Sequence, residues 1–198
     1  MARYTGPSCR LCRREGEKLF LKGERCLTDR CAMERKPYAP GMHGQGRRSK
    51  VSEYGSQLRE KQKVRRSYGL LEKQFRTMFQ SSASKRGVAA DVFFKDLESR
   101  LDNVVFRMGF ARSRNEARQV VRHNHILVNG KRCNIPSAAM IVGDEITLKA
   151  KSQTMSQFGV SAELHAKRPA LKWLEVDHSK FIGKVSALPN NGRYPDAS

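Results

Sequence analysis

The stretch that most restricts this chain is Ala111–Ile135, set inside the patterned segment Leu97–Leu148. Ser113 followed three residues later by Glu116 is a capping box, so a helix starts there. Ala117, Val120 and Val121 share one side of that helix and face a core. Arg114, Arg118 and Arg122 recur at every fourth position and form a stripe beside the apolar side. Asn124 stands where the helix stops, because Asn tolerates left-handed backbone. Ile126-Leu127-Val128 then reads as a strand, Asn129-Gly130 as a two-residue turn and Lys131–Ile135 as the return strand. A rigid helix-plus-hairpin corner with cations on both parts suits a nucleic-acid backbone. An isolated arginine stripe is usually a solvated face; here it continues into a basic hairpin within a strongly basic chain.

Charge supports that reading. Of 198 residues, 39 are Lys or Arg and 19 are Asp or Glu, a formal net charge of +20 with a pI near 10.3. Such an excess repels itself in a compact free protein, so a polyanionic partner is expected. The cations are spread along the chain, which fits a surface wrapping RNA better than a basic tail on a neutral domain. No apolar run is long enough to span a membrane, and the first residues lack the apolar core of a secretory signal. A cytoplasmic location is expected, with cysteines reduced or bound to metal.

Four of the five cysteines lie near the start, as Cys9-x2-Cys12 and Cys26-x4-Cys31. Two short pairs separated by a loop have the spacing of one structural zinc site. The alternative, two disulfides, is disfavoured in a reducing compartment. Four thiolates would leave no open position for catalytic water. Leu19-Phe20-Leu21 can pack beneath the site, and the cations around it, Lys18 and Arg25 among them, are expected to help keep the thiols deprotonated. Cys133 stands alone and reads as a small core residue.

Pro37, Pro40, Gly41, Gly44 and Gly46 then make a loop that carries His43 and ends in Arg47, Arg48, Ser49 and Lys50. Residues 52–68 read as a helix with Tyr54, Leu58, Val64 and Tyr68 on one broad face and Arg59, Lys63 and Arg66 on the other. A second helix, 70–82, follows. A helix or helix pair over 89–108 carries Phe93, Leu97, Leu101, Val104, Val105 and Met108 as a core stripe, with Asp102 within reach of Arg107 for an ion pair. Residues 152–168 are weakly helical, and Leu171–Val176 and Lys180–Val185 read as two strands.

Leu97–Val105, Ala111–Ala117, Ile126–Lys131, Ile135-Pro136-Ser137 and Gly143–Ile146 resemble the S-four-type RNA-binding domain. Cys26–Lys36 followed by Pro37-Tyr38-Ala39-Pro40-Gly41-Met42-His43-Gly44 narrows the resemblance to the bacterial small-subunit ribosomal S-four family, in its cysteine-containing, zinc-binding form. The resemblance implies an α+β fold: an N-terminal zinc module and helical lobe, then an S-four-type domain of helices packed on a small antiparallel sheet. The expected organisation is a four-cysteine module and basic loop over 1–50, a helical part over 51–90, the RNA-binding domain with its extension over 91–178, and a segment 179–198 able to return to the N-terminal lobe. The breaker-rich stretch after Pro189 departs from the family, whose chains end in an apolar-acidic segment.

For function, the resemblance implies a non-enzymatic structural constituent of the small ribosomal subunit. It would be a primary binder of small-subunit rRNA that nucleates assembly of the subunit body and contributes to translational accuracy. Its neighbours would be proteins S-five and S-twelve, with contact to mRNA where it enters the subunit. The expected RNA-facing residues are Arg47, Arg48, Arg59, Lys63, Arg66, Arg112, Ser113, Arg114, Arg118, Arg122, His123, Asn129, Lys131 and Arg132. The expected metal ligands are Cys9, Cys12, Cys26 and Cys31. Two other classes fit less well. An RNA-modifying enzyme needs a further domain with a nucleophile elbow, phosphate loop or paired carboxylates, and none is present. A zinc-finger DNA regulator needs a helix after the second cysteine pair with base-reading spacing, which is also missing.

Overall fold

The computed structural model describes residues 3–46, 50–166 and 171–189. The chain divides into two compact units, with the division between Thr77 and Met78. Among the described residues, no helix is long and apolar enough to cross a membrane.

The first unit is helical. It comprises α1 (Ser8–Glu15), a 3-10 turn at Gly23–Cys26, α2 (Ala32–Arg35), α3 (Glu53–Ser67) and the start of α4 (Glu72–Ala83). Ser52 caps α3 by accepting the Gly55 N–H at 3.2 Å, which satisfies one orphan donor of the first turn. Val64 and Tyr68 bury the apolar side of α3, while Tyr54, expected on that side, is 75 % exposed. A small core of Cys12, Leu19 and Leu21 gathers Leu11 and Met33. Helix α1 is fastened to α3 electrostatically. The Glu15 carboxylate is wholly buried and pairs with Arg59 at 3.2 Å and with Arg66.

The second unit packs helices on a sheet. Its elements are α5 (Ala89–Glu98), α6 (Leu101–Arg107), α7 (Arg114–Arg122), β1 (Ile126–Val128), β2 (Lys131–Arg132), β3 (Glu145–Leu148), α8 (Ala150–Gln153), α9 (Ser156–Ala166), β4 (Leu174–Asp177) and β5 (Ile182–Val185). The sheet is antiparallel throughout, in the order β2-β1-β3-β5-β4. The architecture is thus α+β, helices on a small antiparallel sheet. Its core contains Leu101, Val104, Val105, Met108, Phe110, Ala117, Val121, Ile126, Ile146, Leu148 and Phe158, with Cys133 and Trp173 at its margin. Gly183 lets the sheet approach closely: a Cβ there would lie 2.5 Å from the Met108 sulfur.

The apolar stripe over 89–108 is broken into α5 and α6 because Arg100 takes an extended conformation. The break is well satisfied. Asn103 is almost fully buried and donates to the Glu98 carbonyl at 3.0 Å, closing the end of α5. The first N–H groups of α6, on Leu101 and Asp102, donate to the carbonyls of Ala138 and Pro136 at 2.8 and 3.0 Å. That demand pulls 136–138 under the helix and explains why β2 ends at Arg132 rather than running to Ile135. Residues 152–168 likewise resolve into two pieces, α8 and α9, with Phe158 fully buried.

Asp102 does not pair with Arg107, as its helical reach suggests. Arg107 turns back to Glu98 at 3.0 Å. Asp102, 5 % exposed, instead takes two buried arginines: Arg100 bidentately, at 3.1 and 2.8 Å, and Arg118 at 2.8 Å. Removing one partner of a buried pair strands the other charge, at a cost on the order of 3–5 kcal/mol. Asp102→Ala is therefore expected to lower the urea midpoint by that equivalent. Arg118→Ala should lower it less, since Asp102 keeps Arg100. An unchanged midpoint in Asp102→Ala would show that this triad carries no stability.

Candidate nucleic-acid interface

Helix α7 begins as its sequence dictates. The Ser113 Oγ accepts the Glu116 N–H at 3.3 Å. Glu116 reaches back one residue further than a reciprocal box requires and accepts the Arg112 N–H at 2.8 Å. It also pairs with the Arg112 guanidinium at 3.0 Å. At the other end Asn124 has φ 60°, the left-handed value that turns the chain into β1.

The arginine stripe is not uniform. Four residues advance a helix by about 40° beyond a full turn, so the row slants across the buried arc. Arg114 is half-buried, donating to the Asn103 Oδ1 at 2.8 Å with its guanidinium 4.6 Å above the Phe106 ring. Arg118 lies next to Val121 at the edge of the apolar arc on the helix wheel and is buried on Asp102. Arg122 is exposed. Thus two of the three arginines hold α7 against α6, and one is available to a partner without breaking an ion pair among the described residues.

The hairpin is a two-residue turn with both central residues left-handed, Asn129 at φ 50° and Gly130 at φ 74°. Asn129 anchors the tip: its amide donates to the Asp144 Oδ1 at 2.8 Å and its side-chain oxygen accepts the Glu145 N–H at 2.9 Å. Lys131 and Arg132 are exposed, and neither meets a carboxylate among the described residues. His123 is exposed just past α7. His125, whose Nδ1 is 2.9 Å from the Ser152 Oγ, has its pKa lowered from the ordinary 6.5 by burial first and by His123 and Lys149 next.

In the first unit the three residues of α3 expected to face RNA, Arg59, Lys63 and Arg66, are internally engaged. Arg59 and Arg66 meet Glu15, and burial pulls the Arg66 pKa down. Lys63 bonds Glu60 at 2.7 Å and Glu17 at 2.9 Å, which hold its pKa above the ordinary lysine value. Arg47 and Arg48 lie outside the described residues. Sequence reasoning finds the cations but not their partners, because Glu15 is 44 and 51 residues from the arginines it binds. No local spacing signals such pairs.

None of the five cysteines forms a disulfide. Cys12, Cys26 and Cys31 are buried and Cys9 is half-buried. Burial pushes the Cys12 thiol up to about 11, a backbone bond near Leu19 opposing it and the charges of Cys26, Cys9 and Cys31 adding to it. Burial also raises Cys26, with Lys18 opposing only weakly. At Cys12 and Cys26 burial thus outweighs the nearby cations, and Lys18 is taken up by Glu34 at 2.5 Å. The four thiols are close enough to feel one another's charge, and their chemistry suits a soft or borderline metal. Among the described residues, however, no three His, Cys, Asp or Glu side chains stand close enough to hold an ion.

The family model for the ribosomal protein S4/S9 N-terminal domain matches residues 3–98, and that for the S4 domain matches 99–146. The chain is 59 % identical over 189 residues to small ribosomal subunit protein uS4 of Acetivibrio thermocellus, 58 % to that of Heliobacterium modesticaldum and 57 % to that of Geobacter sulfurreducens. Each of these matches covers 96 % of this chain and 90 % of the relative.

Proposed function

Because the chain belongs to the uS4 family of small-subunit ribosomal proteins, a structural and non-enzymatic family, we propose that it grips folded small-subunit rRNA through the cations its own carboxylates leave unpaired. The protein is a structural constituent of the small ribosomal subunit. The observation that carries the RNA reading is the contrast along one rigid corner. Arg122, Lys131 and Arg132 are exposed and unpaired among the described residues, whereas Arg118 is locked to Asp102.

Mechanistically, exposed Lys and Arg displace the counterions condensed on phosphates and let RNA helices approach that would otherwise repel. A preformed corner of helix and hairpin reads the shape of a folded junction rather than base edges in a helix groove. Binding that stabilises such a junction early is a primary, assembly-nucleating role. Contribution to translational accuracy, contact with proteins S-five and S-twelve and with incoming mRNA, and a cytoplasmic location belong to the same reading, which rests on the family. On this reading Arg118 supports the interface from within and Ser113 and Asn129 shape it, while Arg59, Lys63 and Arg66 hold the first unit together.

One structural zinc ion on Cys9, Cys12, Cys26 and Cys31 is the second part of the proposal. Four free thiols, three of them buried and one of these, Cys12, in the small core with Leu19 and Leu21, support it. Zinc would supply a closed, non-catalytic cross-link between the two cysteine pairs.

Two outcomes are expected. The triple variant Arg122→Gln, Lys131→Gln, Arg132→Gln should keep the wild-type unfolding midpoint. Its plot of log affinity for an rRNA transcript against log salt should flatten by about 2–3 units, roughly one for each phosphate no longer neutralised; an unaltered slope would remove this corner from the interface. For the metal, Cys12 is protonated at neutral pH in the metal-free chain, so zinc uptake should release protons and the apparent affinity should rise with pH. Absence of zinc from protein purified with zinc present, by elemental mass spectrometry, would refute the site.

A further inference from the structure

Lys149 and Lys151 lie far along the chain from the helix–hairpin corner but beside it in the fold. Strand register brings them there: Ile126 pairs with Leu148, Leu127 with Thr147 and Arg132 with Leu127. The Lys149 N–H donates to the His125 carbonyl at 2.9 Å, continuing the β1–β3 ladder by one step. Ile126 and Leu148 are buried at 0 % and 2 % exposure, so alternation places His125, Leu127, Thr147 and Lys149 on the opposite, outer face, with Arg132 beside Leu127. The junction is stiff, since His125 meets Ser152 at 2.9 Å and sets its ring edgewise on Phe158. Lys151 is exposed on α8 immediately after it.

The charge environment distinguishes this edge from several other basic residues of the same unit. Lys85, Arg107, Arg112 and Arg118 each hold a carboxylate. Lys184 sits in register between Glu145 and Glu175. Lys149, Lys151 and Arg132 meet no carboxylate among the described residues, and the groups that bear on His125 are the bases His123 and Lys149. Like charges with no paired carboxylate among the described residues repel one another in the free protein, and a polyanion relieves that repulsion.

We propose that Lys149 and Lys151 form a second phosphate-binding edge, which extends the RNA surface from the β1–β2 hairpin around to the β3–α8 junction. The proposal rests on the RNA reading above and adds contacts beyond the helix–hairpin corner. Its residues come from a segment the sequence shows only as the end of a strand.

The test uses the full chain and a small-subunit rRNA 5′-domain transcript, beside an unrelated structured RNA, with affinity measured from low to high salt. The double variant Lys149→Gln, Lys151→Gln should flatten the slope of log affinity against log salt by about 1.4–1.8 units, the value for two phosphates. Lys149→Arg, Lys151→Arg should keep the wild-type slope. Lys180→Gln, Lys184→Gln removes the same charge from the β4–β5 edge and should flatten it by less than half as much. A wild-type slope in the first variant, or an equal loss in the β4–β5 control, overturns the proposal. Wild-type protein that binds both RNAs equally at every salt would instead overturn the RNA reading itself, so the two failures are distinguishable.

Discussion

A buried carboxylate shared by two arginines sets the frame of the second unit. Asp102 stands in the first turn of α6, where the helix dipole favours an anion, and it holds Arg100 before the helix and Arg118 on α7. The contact fixes the break between α5 and α6 and the approach of α7. The chain beneath is fixed through the α6 N–H groups that take the Pro136 and Ala138 carbonyls. With α7 held on one side and 136–138 on the other, the hairpin between them has little freedom. The presentation of Arg122, Lys131 and Arg132 therefore depends on a charge contact that never reaches the surface.

The same logic operates in the first unit. Glu15, with its side chain fully buried, draws Arg59 and Arg66 of α3 onto α1. A chain with 39 basic and 19 acidic residues cannot neutralise itself. Several of its carboxylates are placed where they let cations be buried, which stabilises the scaffold, and a surplus of cations remains at the surface. That division turns a uniform excess charge into an oriented one: paired arginines build the frame, and unpaired cations on the second unit's corner and edge are the ones proposed to meet the polyanion. Burial of a charge demands a partner, whereas exposure does not, so the division follows from the packing itself.

Local features of this fold are legible in the residues. Ser113 with Glu116, Asn124, and Asn129-Gly130 each specify a backbone conformation by side-chain chemistry, and the structure has the cap, the left-handed stop and the turn at those positions. Long-range features are not legible. Arg114, Arg118 and Arg122 look equivalent by spacing, yet their fates depend on Asn103, Phe106 and Asp102, which lie on another helix. The length of β2 is set by α6 claiming two carbonyls rather than by the propensity of residues 133–135. The thiol chemistry departs from the sequence expectation for a related reason. The cations near the cysteines in sequence are exposed or paired, so burial dominates at Cys12 and Cys26.

The central claim is that pairing decides which cations face RNA, and residue-by-residue chemical protection tests it most directly. Arginines would be modified with a dicarbonyl reagent and lysines with an acylating reagent, in the free chain and in its rRNA complex, and scored by mass spectrometry. The account predicts that Arg122, Lys131 and Arg132 react in the free protein and become protected by RNA. Arg100, Arg118, Arg59 and Arg66 should be unreactive in both states, and Lys184 reactive in both. Protection spread evenly over every exposed lysine, or strong reactivity of Arg118 in the free chain, would contradict it.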